Sequence, residues 1–245
     1  MVLNAVPQIA EKHSRHLVPV LLRWVSKEEQ EPTNEKDISS SDSPSAQRWG
    51  RKEQKAMLGL FSQFINPKVL YKSQEVFDAL LSLLANGDAE IQRTALKAIF
   101  TWKTPSINRY EENLVNMLDD ARFREQIAVF LDVGTDESTL QEEDRKSLMP
   151  VLLRLLYGRI VSRGSSSVGR GQGSKRKAVF IALSRFDPSD LDSFVCIALG
   201  PLEHIRLLEN DQPNEALLQR ELLTPRKQYG LVNMMHDMLE TLGSA

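Results

Sequence analysis

A chain of 245 residues with 41% apolar side chains can bury one or two globular cores, which excludes a disordered polymer. Its 31 basic and 33 acidic residues nearly cancel, yet between Arg145 and Phe186 there are ten Lys or Arg and no Asp or Glu, leaving 21 basic against 33 acidic elsewhere. The single Cys196 excludes an internal disulfide and a Cys-based zinc site, and no apolar run approaches the roughly 20 residues of a membrane span.

Aromatics are only 7%, and period-two segments rich in β-branched residues are nearly absent, so the expectation is an all-α protein, soluble and intracellular. The chain opens with a helical segment in residues 1–26, where Ile9, Leu17, Val20, Leu21, Trp24 and Val25 recur at near-helical spacing and Pro19 predicts a kink or break. Residues 27–49 read as an acidic, Ser-rich disordered linker, too poor in apolar side chains to offset chain entropy, with Ser39, Ser40 and Ser41 as candidate phosphorylation sites.

Residues 50–245 read as a helical-repeat domain. Met57, Leu58, Phe61, Phe64 and Ile65 predict an amphipathic helix over Arg51 to Ile65, and Asn66-Pro67 punctuates it. Val76, Leu80, Leu83 and Leu84 mark the next helix. Asn86-Gly87-Asp88 then ends it and starts another, Gly87 taking a left-handed conformation and Asp88 capping the run from Ala89 to Thr101. Two helices joined by so short a turn lie antiparallel. Thr104-Pro105-Ser106 separates Trp102 from a helix around Tyr110 to Leu118, and Asp119-Asp120 caps another through Phe123, Ile127, Phe130 and Leu131. Pairs beginning near Val69 and Ile107 lie about forty residues apart, the spacing of HEAT or armadillo repeats, and predict an α-solenoid of antiparallel helix pairs. A third pair comprises Glu142 to Arg163, a basic Gly/Ser loop at 163–177, and Ser174 to Phe186. Asp187-Pro188 and Thr224-Pro225 open the last helices, ending near Leu199 and Leu242.

No motif in the chain carries catalysis. Gly164 to Gly171 has the glycine spacing of a phosphate-binding P-loop but lacks its Lys and hydroxyl, and follows a helix rather than a strand. His13, His16, His204 and His236 are dispersed, and Cys196 lies in an apolar run where a buried small hydrophobe is expected. Glu142, Glu143 and Asp144 suit the positive end of a helix dipole better than a carboxylate pair. The expectation is a non-enzyme with no cofactor, no metal and no small-molecule substrate. Charge alone points instead to a polyanion, with Arg154, Arg159, Arg163, Arg170, Lys175, Arg176 and Lys177 as candidate phosphate contacts. Trp102, Tyr110 and Tyr157 are either stacking platforms or packing residues, the second being the ordinary role in a helical repeat.

Several segments together resemble a known family. They are Phe61-Ser-Gln-Phe-Ile-Asn-Pro-Lys-Val-Leu-Tyr-Lys-Ser73, Ala89-Glu-Ile-Gln-Arg-Thr-Ala-Leu-Lys-Ala-Ile-Phe-Thr-Trp-Lys103, Tyr110 to Leu114, Leu118 to Arg124, Leu148-Met-Pro-Val-Leu-Leu-Arg-Leu-Leu-Tyr-Gly-Arg159 and Lys175 to Ala178. Spread over Arg51 to Leu242, they resemble the "down-regulated in metastasis" family of giant helical-repeat scaffolds. The resemblance implies an internal segment of a component of the small-subunit processome, the nucleolar particle that matures precursor ribosomal RNA with the U-three small nucleolar RNA. It further implies partners in pre-ribosomal RNA, the U-three particle and processome proteins, a nuclear and nucleolar location, and no membrane. A pure protein-interaction solenoid without direct RNA contact is the alternative; a third reading makes Lys175-Arg176-Lys177 part of a nuclear-localisation patch.

Overall fold

A computed structural model describes residues 7–28, 51–130, 140–162, 170–200 and 225–242. Most of the acidic linker, with Ser39 to Ser41, lies outside the described residues, as do Arg163 and His204. Twelve α-helices and a 3-10 turn are present among the described residues, with no strand, as the all-α helical-repeat reading requires. In chain order they are α1 (Pro7–Lys12), α2 (Ser14–Glu28), α3 (Arg51–Phe61), the 3-10 turn Pro67–Val69, α4 (Ser73–Leu84), α5 (Ala89–Phe100), α6 (Pro105–Asn108), α7 (Glu111–Asn116), α8 (Phe123–Phe130), α9 (Glu142–Val161), α10 (Arg170–Leu183), α11 (Pro188–Leu199) and α12 (Pro225–Leu242). They group into two compact units, one of Met1–Leu83 with Thr94–Lys103 and one of Leu84–Arg93 with Thr104–Ala245.

In the first unit α1, α2 and α3 pack on one another, burying Ala10, Val18, Leu21, Leu58 and Phe61 completely. Pro19 does not break α2, which runs through it; the interruption between α1 and α2 falls at His13, six residues earlier. Two polar contacts fasten the turn after α3. The Glu11 carboxylate accepts from the amides of Ile65 and Asn66 at 3.3 and 2.6 Å, and the buried Ser14 hydroxyl accepts from the Tyr71 amide at 3.3 Å. Trp102 is 7% exposed and sets its ring edge-on to Phe77, centroids 5.5 Å apart, so it packs rather than displaying a face.

In the second unit α9 is buried over most of its circumference: Leu148, Val151, Leu152, Leu153, Leu155, Leu156 and Ile160 are at most 2% exposed, because α6, α10 and α11 all pack against it. Gly158 permits a further close approach, that of the segment from Leu84 to Gln92. A Cβ there would collide with the Leu84 carbonyl and the Gln92 amide nitrogen and stand 2.8 Å from the Asn86 carbonyl. Gln92 is fully buried, its Nε2 donating to Leu84 O at 2.7 Å and Leu155 O at 3.2 Å.

The turn before α5 forms as expected at Asp88, which accepts from Glu90 N at 2.9 Å, while Asn86 accepts from Asp88 N at 2.8 Å. Gly87 is not left-handed, however. It is needed for clearance, since an added Cβ would lie 3.3 Å from Val161 O at the end of α9. The helix expected around Tyr110 to Leu118 is the short α7, the stretch before it adds the one-turn α6, and the helix expected from Ser174 already begins at Arg170. Cys196, expected to be buried, is exposed on α11.

Candidate nucleic-acid interface

The basic window occupies most of α9 and α10. A helix of 20 residues, α9 has Glu142, Glu143 and Asp144 in its first turn and Arg159 in its last, both matching the helix dipole. Asp144 is also tied across the chain, accepting from Arg109 Nη1 at 2.7 Å and from the Tyr110 hydroxyl at 3.0 Å. Tyr110 is 3% exposed and accepts in turn from the Gln141 amide at 3.0 Å, so its hydroxyl and ring are both committed. The Asp144 charge raises the Arg109 pKa above its ordinary value.

Arg159, expected on a surface, is 3% exposed. Its guanidinium pairs with Asp120 and lies 5.1 Å from the Phe123 ring centroid, while its Nε is buried with no hydrogen-bond partner. Burying a guanidinium costs several kcal/mol, which the carboxylate and the ring face must offset. Lys175 joins the same carboxylate from α10, its Nζ 2.7 Å from Asp120 Oδ1. The Lys175 hydrogen bond first, and the Arg159 hydrogen bond and charge after it, hold Asp120 below the usual carboxylate range against the opposing effect of partial burial. Asp120 therefore joins α9 to α10 rather than capping α8; the neighbouring Asp119 takes the local role, accepting from Ala121 N at 3.0 Å.

Arg176 is held in the same manner. Its Nη1 lies 3.2 Å from Asp237 on α12 and its Nε donates to Ile160 O at 3.4 Å. Arg154 is half-buried and donates to Pro150 O at 3.0 Å within α9. Lys177 is exposed and has no ion-pair partner among the described residues. Arg170 opens α10, and Arg163 lies outside the described residues. At the start of the window, buried Arg145 pairs with Asp190 and with Asp187 at 2.7 Å, so Asp187 is drawn into an ion pair and makes no side-chain cap for α11. The structure thus brings Arg159 and Lys175 together, fixes Arg176 nearby in α10, and answers much of the window's charge with aspartates from outside it.

Tyr157, the third of the aromatic residues considered for stacking, is packed as well. Its ring meets Phe194 edge-on at 6.3 Å, and burial pushes its phenol pKa up. Among the described residues, potential metal ligands gather only on α12, where ligand atoms of His236, Asp237 and Glu240 lie within 4.8 Å of one another. They are successive groups on one exposed helical turn and Asp237 is already taken by Arg176, an arrangement common without any ion. Among the described residues no helix is long and apolar enough to cross a membrane.

Comparison with known proteins gives this arrangement a context. Residues 48–245 match the family model described as "U3 small nucleolar RNA-associated protein 20, N-terminal". The chain is similar to U3 small nucleolar RNA-associated protein 20 of Saccharomyces cerevisiae, 30% identical over 244 residues, which is 98% of this chain and 9% of the yeast protein. To the protein of the same name in Schizosaccharomyces pombe it is 31% identical over 198 residues, 80% of this chain and 8% of that one. The chain therefore spans less than a tenth of the length of these relatives. With the resemblance seen in the separate sequence segments confirmed by a match across most of its length, the chain belongs to the U3 small nucleolar RNA-associated protein 20 family.

Proposed function

We propose that this chain is a non-catalytic scaffold segment in small-subunit ribosome biogenesis, working in the nucleolar small-subunit processome with the U3 particle, precursor ribosomal RNA and assembly proteins. The family match over residues 48–245 carries this reading. An all-α stack of packed helices supports it, since repeat architectures offer surface for holding partners. The basic residues of α10, Arg170, Lys175, Arg176 and Lys177, are the proposed phosphate contacts, and binding through them neutralises phosphates without reading bases.

A second reading, a protein-interaction scaffold with no direct RNA contact, draws support from one observation: Arg159, Lys175 and Arg176 are already paired with aspartates of the same chain. Affinity purification of the tagged chain from nuclear extract separates the two. Recovery of U3 and precursor ribosomal RNA that falls when Arg170, Lys175, Arg176 and Lys177 are all changed to Gln supports the RNA contact. Recovery of processome proteins after nuclease treatment, unchanged by those substitutions, supports the second reading. Recovery of neither RNA nor processome proteins refutes both.

A further inference from the structure

The break between α1 and α2 builds a second basic feature, wholly within the first unit. Residues 12–16 turn the corner there, and Ser14 alone among them is buried, with Lys12, His13, Arg15 and His16 exposed around it. Because the Ser14 hydroxyl holds the Tyr71 amide, the segment after the 3-10 turn is brought against this corner. The result is a cleft of about 360 Å³ lined by Lys12, His13, Arg15, His16, Val69 and Tyr71 together with Ser14. The cleft is shallow and open to solvent, and its volume is at the small end of the roughly 300–1,000 Å³ of ligand sites.

Three properties set the cleft apart from the α9–α10 surface. No acidic side chain lines it, and Lys12, His13, Arg15 and His16 have no ion-pair partner among the described residues. The adjacent Glu11 is engaged by the backbone amides of Ile65 and Asn66. Tyr71 is 41% exposed and lines the cleft, and Lys72 stands over its ring, 5.9 Å from the centroid, while pairing with Glu75 at 2.9 Å. Unpaired cations draw a phosphate, imidazole N–H groups donate to its oxygens, and an exposed aromatic ring stacks on a base that is free of a duplex. An acidic peptide would use the cations but not the ring.

We propose that this cleft binds single-stranded RNA, seating one nucleotide with its phosphate between Lys12 and Arg15 and its base against Tyr71. The inference rests on the proposed function only in its choice of polyanion. It is tested on the whole chain by fluorescence anisotropy with a labelled oligouridine over a range of salt, with a labelled oligoglutamate as competitor. Because these side chains are exposed, Lys12→Gln/Arg15→Gln and Tyr71→Ala are expected to keep the wild-type circular dichroism. The double variant should make the slope of log affinity against log salt shallower by about 0.7, the value for the one phosphate held between them on a single strand. Tyr71→Ala should weaken binding about tenfold with the slope unchanged. No binding by the wild-type chain, or both variants matching it, overturns the proposal, as does oligoglutamate competing equally well with Tyr71→Ala silent. Nuclear-extract purification reads the scaffold function separately, so either conclusion can fail while the other stands.

Discussion

The guanidinium of Arg159 is buried against the carboxylate of Asp120, 39 positions earlier in the chain, and Lys175 shares that carboxylate from a third element. Removing the acid while leaving the buried cation is the costly change. Asp120→Ala should destabilise the chain by about 2–3 kcal/mol, below the roughly 3–5 kcal/mol for breaking a fully buried pair because Asp120 itself is largely exposed. Arg159→Met, which removes the charge but keeps the packing on Phe123, should cost less than Asp120→Ala. Urea denaturation checks the order; a larger loss for Arg159→Met would contradict the arrangement.

Acid should act on the same node. Because the Asp120 pKa is lowered in the fold, its contribution is present above the unfolded-state value of about 3.9 and is lost as pH falls through the folded-state value. Melting temperatures measured between neutral pH and strong acid should therefore show an acid-limb loss that is smaller in Asp120→Asn, whose neutral amide does not titrate there.

At Gly158 a methyl group has nowhere to go, since the Leu84 and Asn86 carbonyls are backbone and the Gln92 amide is fixed by two acceptors. Gly158→Ala should cost about 2–4 kcal/mol through overpacking, more than its gain in helix propensity of about 1 kcal/mol returns. Gln92→Leu should cost about 1–3 kcal/mol by stranding two carbonyl oxygens. Thermal melts of the two variants measure both effects, and a stabilised Gly158→Ala would show that the interface between the turn and α9 is looser than its geometry.

Cys196 should react with a thiol reagent in the native protein as completely as in denaturant, because it is exposed on α11. Slow or partial modification of the native chain would return it to the buried role expected from its apolar neighbours.

Helix punctuation was legible because it is local. Pro67, Pro105 and Pro188 each stand at the start of a helical element, as their dihedral preference and missing N–H require, and Asp88 caps α5 through its own neighbours. Charge pairing was not legible. Whether Asp120 and Asp187 cap helices or meet arginines depends on which elements fold beside them, and their arginine partners lie 39 and 42 positions away. Cys196 misled for a related reason: on α11 the buried face passes through Phe194 and Ala198, and a residue two positions from either points elsewhere despite its apolar company. In the candidate interface the kind of charge could be read from the chain, but how much of it reaches solvent could not. The cleft at α1–α2 escaped notice because its cations are few and are gathered by a helix break and a distant tyrosine.

The sharing of Asp120 between two cations also bears on how the molecule meets a polyanion at a distance. Internal compensation shortens the reach of an electric field, so α9 and α10 exert far less pull across several solvent layers than the bare string of lysines and arginines suggests. Diffusional capture along that side should be slow and only weakly accelerated by low ionic strength, with retention governed by contacts made after arrival.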